Sequence, residues 1–281
     1  MKVTTWNVNG VRAREADVYG FLRDVQPDVL CLQEIKASPH QVPVSLSGHA
    51  DYWSFWHGHK GYSGVAVLVR KACCPTRPRF THPDFDEEQR AVVVELGTLR
   101  LASLYVPNGG KDYETKVRFL NALDGYVARQ RGLGFSLVLC GDFNVTRTPR
   151  DVHSSLRDEA QLGQTPAERA QLERILAHEL DDLGRRFAPH DDALFTWWAP
   201  WQEHRENNRG WRLDYVLASP EAAGLATGCT AERLVGTSDH GPVTAVFERS
   251  LFEPQAVVEG PAQVIAAPEP DRGPQLDLFG R

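Results

Sequence analysis

Short apolar runs, rich in Val and Leu and closed by Gly, Pro or Asn, recur at residues 3–6, 29–32, 64–69, 91–96, 101–106, 137–140, 214–217 and 243–247. Runs of this length with such borders predict β-strands. Between them the apolar spacing changes to that of a helix face. Residues 16–25 put Val18, Phe21, Leu22 and Val25 on one side, and residues 113–130 do the same with Val117, Leu120, Leu123 and Val127. A third helix marks its own start, with Thr165 as N-cap, Pro166 at the first helical position and Glu168 completing a capping box ahead of Leu172, Ile175 and Leu176. Strands mixed with helices, including the adjacent pair 91–96 and 99–106, predict packed sheets flanked by helices rather than one doubly wound parallel sheet. Each half opens on a strand ending in an Asn-bearing loop, at Asn7 and Asn144, a slight trace of duplication.

The pattern breaks after Phe252. Residues 253–274 are rich in Pro, Ala, Gly and Glu and hold too few large apolar side chains to pack, so 253–281 is expected to be a flexible tail on a single domain, 1–252. A hydrophobic content of 42% with seven Trp is enough for a sizeable core in that body. No apolar run approaches the ~20 residues of a membrane span, and the N-terminus enters a polar motif without an apolar leader. The five Cys (Cys31, Cys73, Cys74, Cys140, Cys229) lack a C-x-x-C spacing and read as reduced thiols, which points to the cytosol. A net charge of −6 argues against a generic nucleic-acid coat. It leaves room for an enzyme that grips phosphates through local Lys and Arg.

The polar residues that close the apolar runs carry the chemistry. Asn7 and Asn9 follow the first run, Glu34 the second, Asp142 and Asn144 the run at 137–140, and Arg212-Leu213-Asp214 and Asp239-His240 flank the last two. Asn-Gly is also a common turn pair, and Asp142 with Asn144 also suits an Asx-turn. Alternate residues on an extended segment point the same way, so Asp142 and Asn144 are expected to reach one attacking water. Asp beside His240 would raise its basicity and fix its tautomer. Four carboxylates (Glu34, Asp142, Asp214, Asp239) in one cleft would repel by roughly 3 kcal/mol per pair at ~5 Å, so their convergence requires a cation, and Mg²⁺ prefers such oxygen donors. Gly61-Tyr62-Ser63-Gly64 lacks the spacing of a serine nucleophile. His57-Gly58-His59 has no second pair at metal-ligand spacing and reads as a solvated loop.

Taken together, Thr5-Trp6-Asn7-Val8-Asn9-Gly10, Leu32-Gln33-Glu34-Ile35-Lys36, Gly61-Tyr62-Ser63-Gly64, Tyr105-Val106-Pro107-Asn108, Gly141-Asp142-Phe143-Asn144, Gly210-Trp211-Arg212-Leu213-Asp214-Tyr215 and Ser238-Asp239-His240 resemble the exonuclease III / apurinic-apyrimidinic endonuclease family, over about residues 1–248. The resemblance implies a four-layered α/β sandwich with two mixed sheets, of the DNase I-like kind. It implies hydrolysis dependent on Mg²⁺, with Mn²⁺ able to substitute, of double-stranded DNA at abasic sites and 3′ ends, by a monomer. By position, Glu34 is the principal metal ligand, with Asn7 or Asn9 and Asp239 assisting and Asp142 and Asn144 adjoining the ion. Asp142 would also handle the nucleophilic water and Asn144 position it. His240, partnered by Asp214, would contact the phosphate, and Tyr105 and Asn108 line the cleft. Trp197, Trp211 and Leu213 match a pocket for a baseless sugar, and Arg12, Lys36 and Arg209 are phosphate contacts. After Asn144 the chain departs from the Asp-rich connector common in the family and reads Thr146-Arg147-Thr148-Pro149-Arg150-Asp151-Val152-His153, with Asp151 a candidate match of unassigned role. The chain ends Gln275-Leu276-Asp277-Leu278-Phe279, which resembles the peptide by which bacterial repair proteins bind the sliding clamp. Apolar anchors on a tether suit such docking.

Overall fold

The computed structural model describes residues 1–252; the tail, with Gln275, Leu276, Leu278 and Phe279, lies outside the described residues. In chain order the strands are β1 (Lys2–Asn7), β2 (Val29–Gln33), β3 (Tyr52–His59), β4 (Tyr62–Arg70), β5 (Arg79–Thr81), β6 (Ala91–Leu96), β7 (Leu99–Tyr105), β8 (Ser136–Asp142), β9 (Asp181–Asp182), β10 (Asp214–Ala218), β11 (Ala226–Ala231) and β12 (Val243–Phe247). The helices are α1 (Glu15–Asp24), α2 (Val44–Ser47), α3 (Tyr113–Gly132), α4 (Pro166–Leu176), α5 (Leu183–Phe187) and α6 (Pro220–Ala223). Two six-stranded sheets form, ordered β11-β12-β1-β2-β4-β3 and β5-β6-β7-β8-β10-β9. Read in these orders, both sheets show the same senses: only the central pairs, β1 with β2 and β7 with β8, are parallel. The duplication faintly traced by Asn7 and Asn144 is thus present in the strand arrangement.

The central strands are apolar on both faces because both are covered. Val29 and Cys31 of β2 point inward with Val67, Val94, Val138, Cys140 and Val216, forming the core between the sheets. Leu30 and Leu32 point outward onto Val18, Phe21 and Leu22 of α1 and Leu46 of α2. Leu137 and Leu139 of β8 meet Leu120, Leu123 and Val127 of α3 and Leu172 and Ile175 of α4 on the other side. The result is the expected four layers. Helix α4 begins as read, with the Thr165 side chain accepting from the Glu168 N–H. None of the described helices is long and apolar enough to cross a membrane, and the five cysteines are free.

Strands β3, β5, β9 and β11 are additions to the sequence reading. The His57-Gly58-His59 segment, expected to be a solvated loop, is the end of β3, with a register shift against β4 between His57 and His59. Its aromatic and Gly-containing sequence hides the two-residue period, which is why pattern alone misses it.

Candidate active site

The site forms where both parallel strand pairs end. Asn7 closes β1 beside Gln33 of β2, Tyr105 closes β7 beside Asp142 of β8, and Asp142 pairs across to Asp214 at the start of β10. Gly141 permits this arrangement, since a Cβ there would collide with the Leu104 carbonyl on β7. Beneath the site, Gln33 donates from Nε2 to Ser103 Oγ at 3.0 Å, and Ser103 donates to the Leu32 carbonyl, a buried polar link between the sheets.

Glu34 stands just past β2 with φ +50°, and Asn9, Lys36 and Asn144 are also left-handed, at φ +45°, +49° and +50°. Such backbone is uncommon for residues other than Gly and clusters at functional sites. The turn at Glu34 aims its carboxylate inward. Oε1 accepts from Tyr105 OH at 2.8 Å and from Asn7 Nδ2 at 3.0 Å, while Oε2 lies 2.7 Å from Lys36 Nζ. Asn7 Nδ2 also donates to Asp142 Oδ2 at 2.9 Å, so one carboxamide separates two carboxylates from opposite sheets. Burial works against the Glu34 carboxylate, but the Lys36 ammonium and the Asn7 amide hold it below its ordinary range. Burial and the neighbouring Glu34 and Asp142 push the Tyr105 phenol well above its own.

Asp142, Asp214 and His240 form a tight buried group whose ligand atoms lie within 4.8 Å of one another. His240 Nδ1 is 2.9 Å from Asp214 Oδ2, and His240 Nε2 is 3.9 Å from Asp142 Oδ2. Burial disfavours the imidazolium, but Asp214, Asp142 and Asp239 outweigh it and push His240 up to about 10. Asp142 is pushed up to about 7 by burial together with Asp214 and Glu34, with His240 pulling the other way. Asp239 accepts from Asn9 Nδ2 at 2.9 Å and from Trp197 Nε1 at 3.0 Å. Burial opposes its charge, and His240 with these two donors lowers it.

One expectation needs correction. Asp142 and Asn144 do not share a strand face: the chain turns left-handed at Asn144, whose N–H donates to Asp142 Oδ1 at 2.9 Å. The Asx-turn and the functional grouping are therefore the same structure, and Asn144 Nδ2 is bound mainly to the Val106 carbonyl at 2.9 Å. The Lys36 ammonium sits between Glu34 and Asn9 Oδ1, the latter at 2.6 Å. Asp151 lies apart, fully buried, and pairs with buried Arg212 and partly exposed Arg185 at 2.7 and 2.6 Å.

Of the remaining residues, Trp197, Trp211 and Leu213 do gather. Trp211 and Leu213 pack with Val152 and expose only 7% and 5%, while half-buried Trp197 meets Trp211 edge-on and stands 6.5 Å from the His240 ring. Asn108 and Tyr105 line one cavity with Tyr62 and Arg90. Arg209 bonds Ser155, and Arg12 lines a separate groove between α1 and α2. Three further positioning residues were not singled out by the sequence, although Ser238 stands in the motif Ser238-Asp239-His240. Thr196 Oγ1 accepts from the N–H groups of Leu213 and Asp214, Ser238 Oγ donates to the Asn7 carbonyl, and buried Lys116 donates to the Asn144 carbonyl while paired with Glu168.

The donor set suits a hard divalent cation. Glu34 Oε2 and Asn9 Oδ1, from different loops, already converge on one positive charge, the Lys36 ammonium, and both are the hard oxygen donors such an ion prefers. The Asn7 amide hydrogens face the two carboxylates and its Oδ1 accepts the Asn9 N–H.

Residues 4–240 match the endonuclease/exonuclease/phosphatase family. The DNA repair nuclease APEX1 of Danio rerio is 34% identical, over 87% of this chain and 81% of its own. A solved 3′-5′ exonuclease from Neisseria meningitidis superposes with a TM-score of 0.80 at 29% identity, covering 88% of this chain and all of that one (100%). An AP endonuclease from Archaeoglobus fulgidus gives 0.77 at 28% identity, covering 88% and 99%.

Proposed function

Because the chain belongs to the endonuclease/exonuclease/phosphatase family, we propose that this cleft is the active site of a DNA repair nuclease that uses Mg²⁺ to hydrolyse the phosphodiester 5′ to abasic sites. The same site would act as a 3′→5′ exonuclease and 3′-phosphatase on DNA ends. The observation that carries the reading is the junction of Asp142, Asp214 and His240 with the Trp197–Trp211–Leu213 cluster.

Glu34, Asn9 and Asp239 would hold the ion, with Asp142 and Asn144 adjoining; when bound, it offsets negative charge on the phosphate. Asp142, near neutrality, takes a proton from the attacking water, with its orientation set by the Asn144 N–H and the Asn7 amide. His240, kept cationic by Asp214, donates from Nε2 to a phosphate oxygen as charge builds there. The Tyr105 phenol keeps its proton and is available to the leaving oxygen. The apolar wall beside Trp197 takes a sugar without its base and has no partners for a nucleobase edge. Lys36 would join in phosphate binding when the ion takes its place between Glu34 and Asn9, and Arg12 and Arg209 would extend the grip on the duplex.

The test is cleavage of a duplex carrying one tetrahydrofuran abasic analogue, with Mg²⁺ and with EDTA. Incision 5′ to the analogue that EDTA abolishes is expected; no incision in either would overturn the reading. The enzyme is further proposed to be a cytosolic monomer that docks on a DNA polymerase sliding clamp through residues 275–279. Deleting those residues should abolish clamp binding and leave turnover on short oligomers unchanged.

A further inference from the structure

A second group of metal-ligating side chains lies where the sheets meet edge to edge. Edge strand β3 of one sheet faces edge strand β5 of the other, and Phe55 stacks on Phe80 at 5.6 Å and 9°. The next rung is His57 on His82, at 4.8 Å and 11°. Stacking accounts for the rings but not for Asp86, which joins them. Its side chain is fully shielded from solvent (0%), Oδ2 is 2.8 Å from His57 Nε2, and Oδ1 accepts the Arg90 N–H at 2.6 Å. Among the described residues, no Lys or Arg forms an ion pair with this carboxylate. A buried carboxylate needs a cationic partner or a metal. The backbone bond to Arg90 fixes its orientation, as outer-shell bonds fix ligating carboxylates.

We propose that His57, His82 and Asp86 form a second metal site, for a divalent transition ion such as Zn²⁺, that pins the two sheets together at this seam. Their ligand atoms lie within 4.8 Å of one another. Donors around zinc stand roughly 3.3 Å apart, and an inward rotation of the exposed His82 side chain would close the difference. His57 shifts its proton to Nδ1 and gives the Nε2 lone pair to the ion; water fills the open position. Two imidazoles and one carboxylate select zinc, nickel or cobalt over magnesium, unlike the all-oxygen set at Glu34. The effect would reach the cleft, because Asp86 anchors Arg90, whose guanidinium lies 4.8 Å from the Tyr105 ring.

The test is a Zn²⁺ titration by calorimetry of the full chain, with His82→Ala and Glu34→Gln alongside, and a thermal melt of each with Zn²⁺. Glu34→Gln separates zinc at the catalytic oxygens from zinc at the seam. His82→Ala, on an exposed side chain, should keep its far-ultraviolet circular dichroism. It should lose one equivalent of bound zinc, or bind it at least about tenfold more weakly, and lose the zinc-dependent rise in melting temperature. Glu34→Gln should keep both. Equal zinc stoichiometry and affinity in wild type and His82→Ala would overturn the proposal. So would retention of the melting shift by His82→Ala, or no binding at the seam tighter than about 100 μM.

Discussion

His240 Nδ1 rests 2.9 Å from Asp214 Oδ2, with both side chains almost wholly shielded from water. Among the described residues, the other Asp214 oxygen has no hydrogen-bond partner. This contact keeps His240 cationic up to about 10 against the pull of burial. The cation is the working form, so activity dependent on it is lost as pH rises through the imidazole's pKa. In Asp214→Asn that loss should move down toward the ordinary histidine range, about 6.5. Wild-type turnover should rise as Asp142 ionises near 7 and then hold until pH approaches 10, whereas in the variant the alkaline fall should move down toward neutrality. Identical profiles would remove Asp214 from this role.

Asn7 separates Glu34 from Asp142 by donating to both, at 3.0 and 2.9 Å. Asn7→Ala removes both donors and brings the carboxylates' repulsion into the open. Turnover at saturating Mg²⁺ should drop about 10²-fold, by analogy with loss of one preorganised donor. Asn7→Asp should be worse, since it sets a third negative charge between the other two.

The Trp211 indole, only 7% exposed, backs the proposed sugar pocket against half-buried Trp197. Trp211→Ala should lower stability by about 3–5 kcal/mol and also weaken the preference for abasic over intact duplex. The ratio of the two cleavage rates isolates the pocket from the stability loss, because both substrates see the same folded fraction. An unchanged ratio places the pocket elsewhere.

Asp151 tests the scaffold rather than the chemistry. Burial works to raise its pKa, but Arg212 and Arg185 outweigh it and hold the carboxyl at about 2. A lowered folded pKa gives stability that is present above the unfolded value, about 4, and is lost as pH falls toward 2. Asp151→Asn should therefore reduce unfolding free energy by about 2 kcal/mol at neutral pH and flatten its pH dependence between 4 and 2. Urea melts at a series of pH values read this directly.

The strand ends were legible because a polar residue closing an apolar run breaks the pattern: Asn7, Asp142 and Asp214 stand where that break falls. The start of α4 was legible because a capping box is local chemistry. What pattern could not supply is backbone handedness. Glu34 enters the site through a left-handed turn that its residue type does not announce; Asn9 and Asn144 are of a type that favours such turns, but the extended reading gave Asn144 the wrong geometry beside the right neighbour. Strand β3 was missed because its aromatic rings serve a seam between sheets, a contact set by the partner β5 and not by its own period. The surroundings of Lys36 and Asp151 were not legible for a related reason. The partners that fix them, Asn9 for one and Arg185 and Arg212 for the other, come from distant parts of the chain.

The central claim is that Asp142 acts on the attacking water within the group it forms with His240 and Asp214. Single-turnover cleavage of the tetrahydrofuran duplex by Asp142→Asn, with DNA affinity measured in parallel, tests it most directly. Asparagine keeps the shape and cannot take the proton, so the chemical step should slow by several orders of magnitude while DNA binding stays near that of the wild type. A variant that cleaves at close to the wild-type rate would contradict the account.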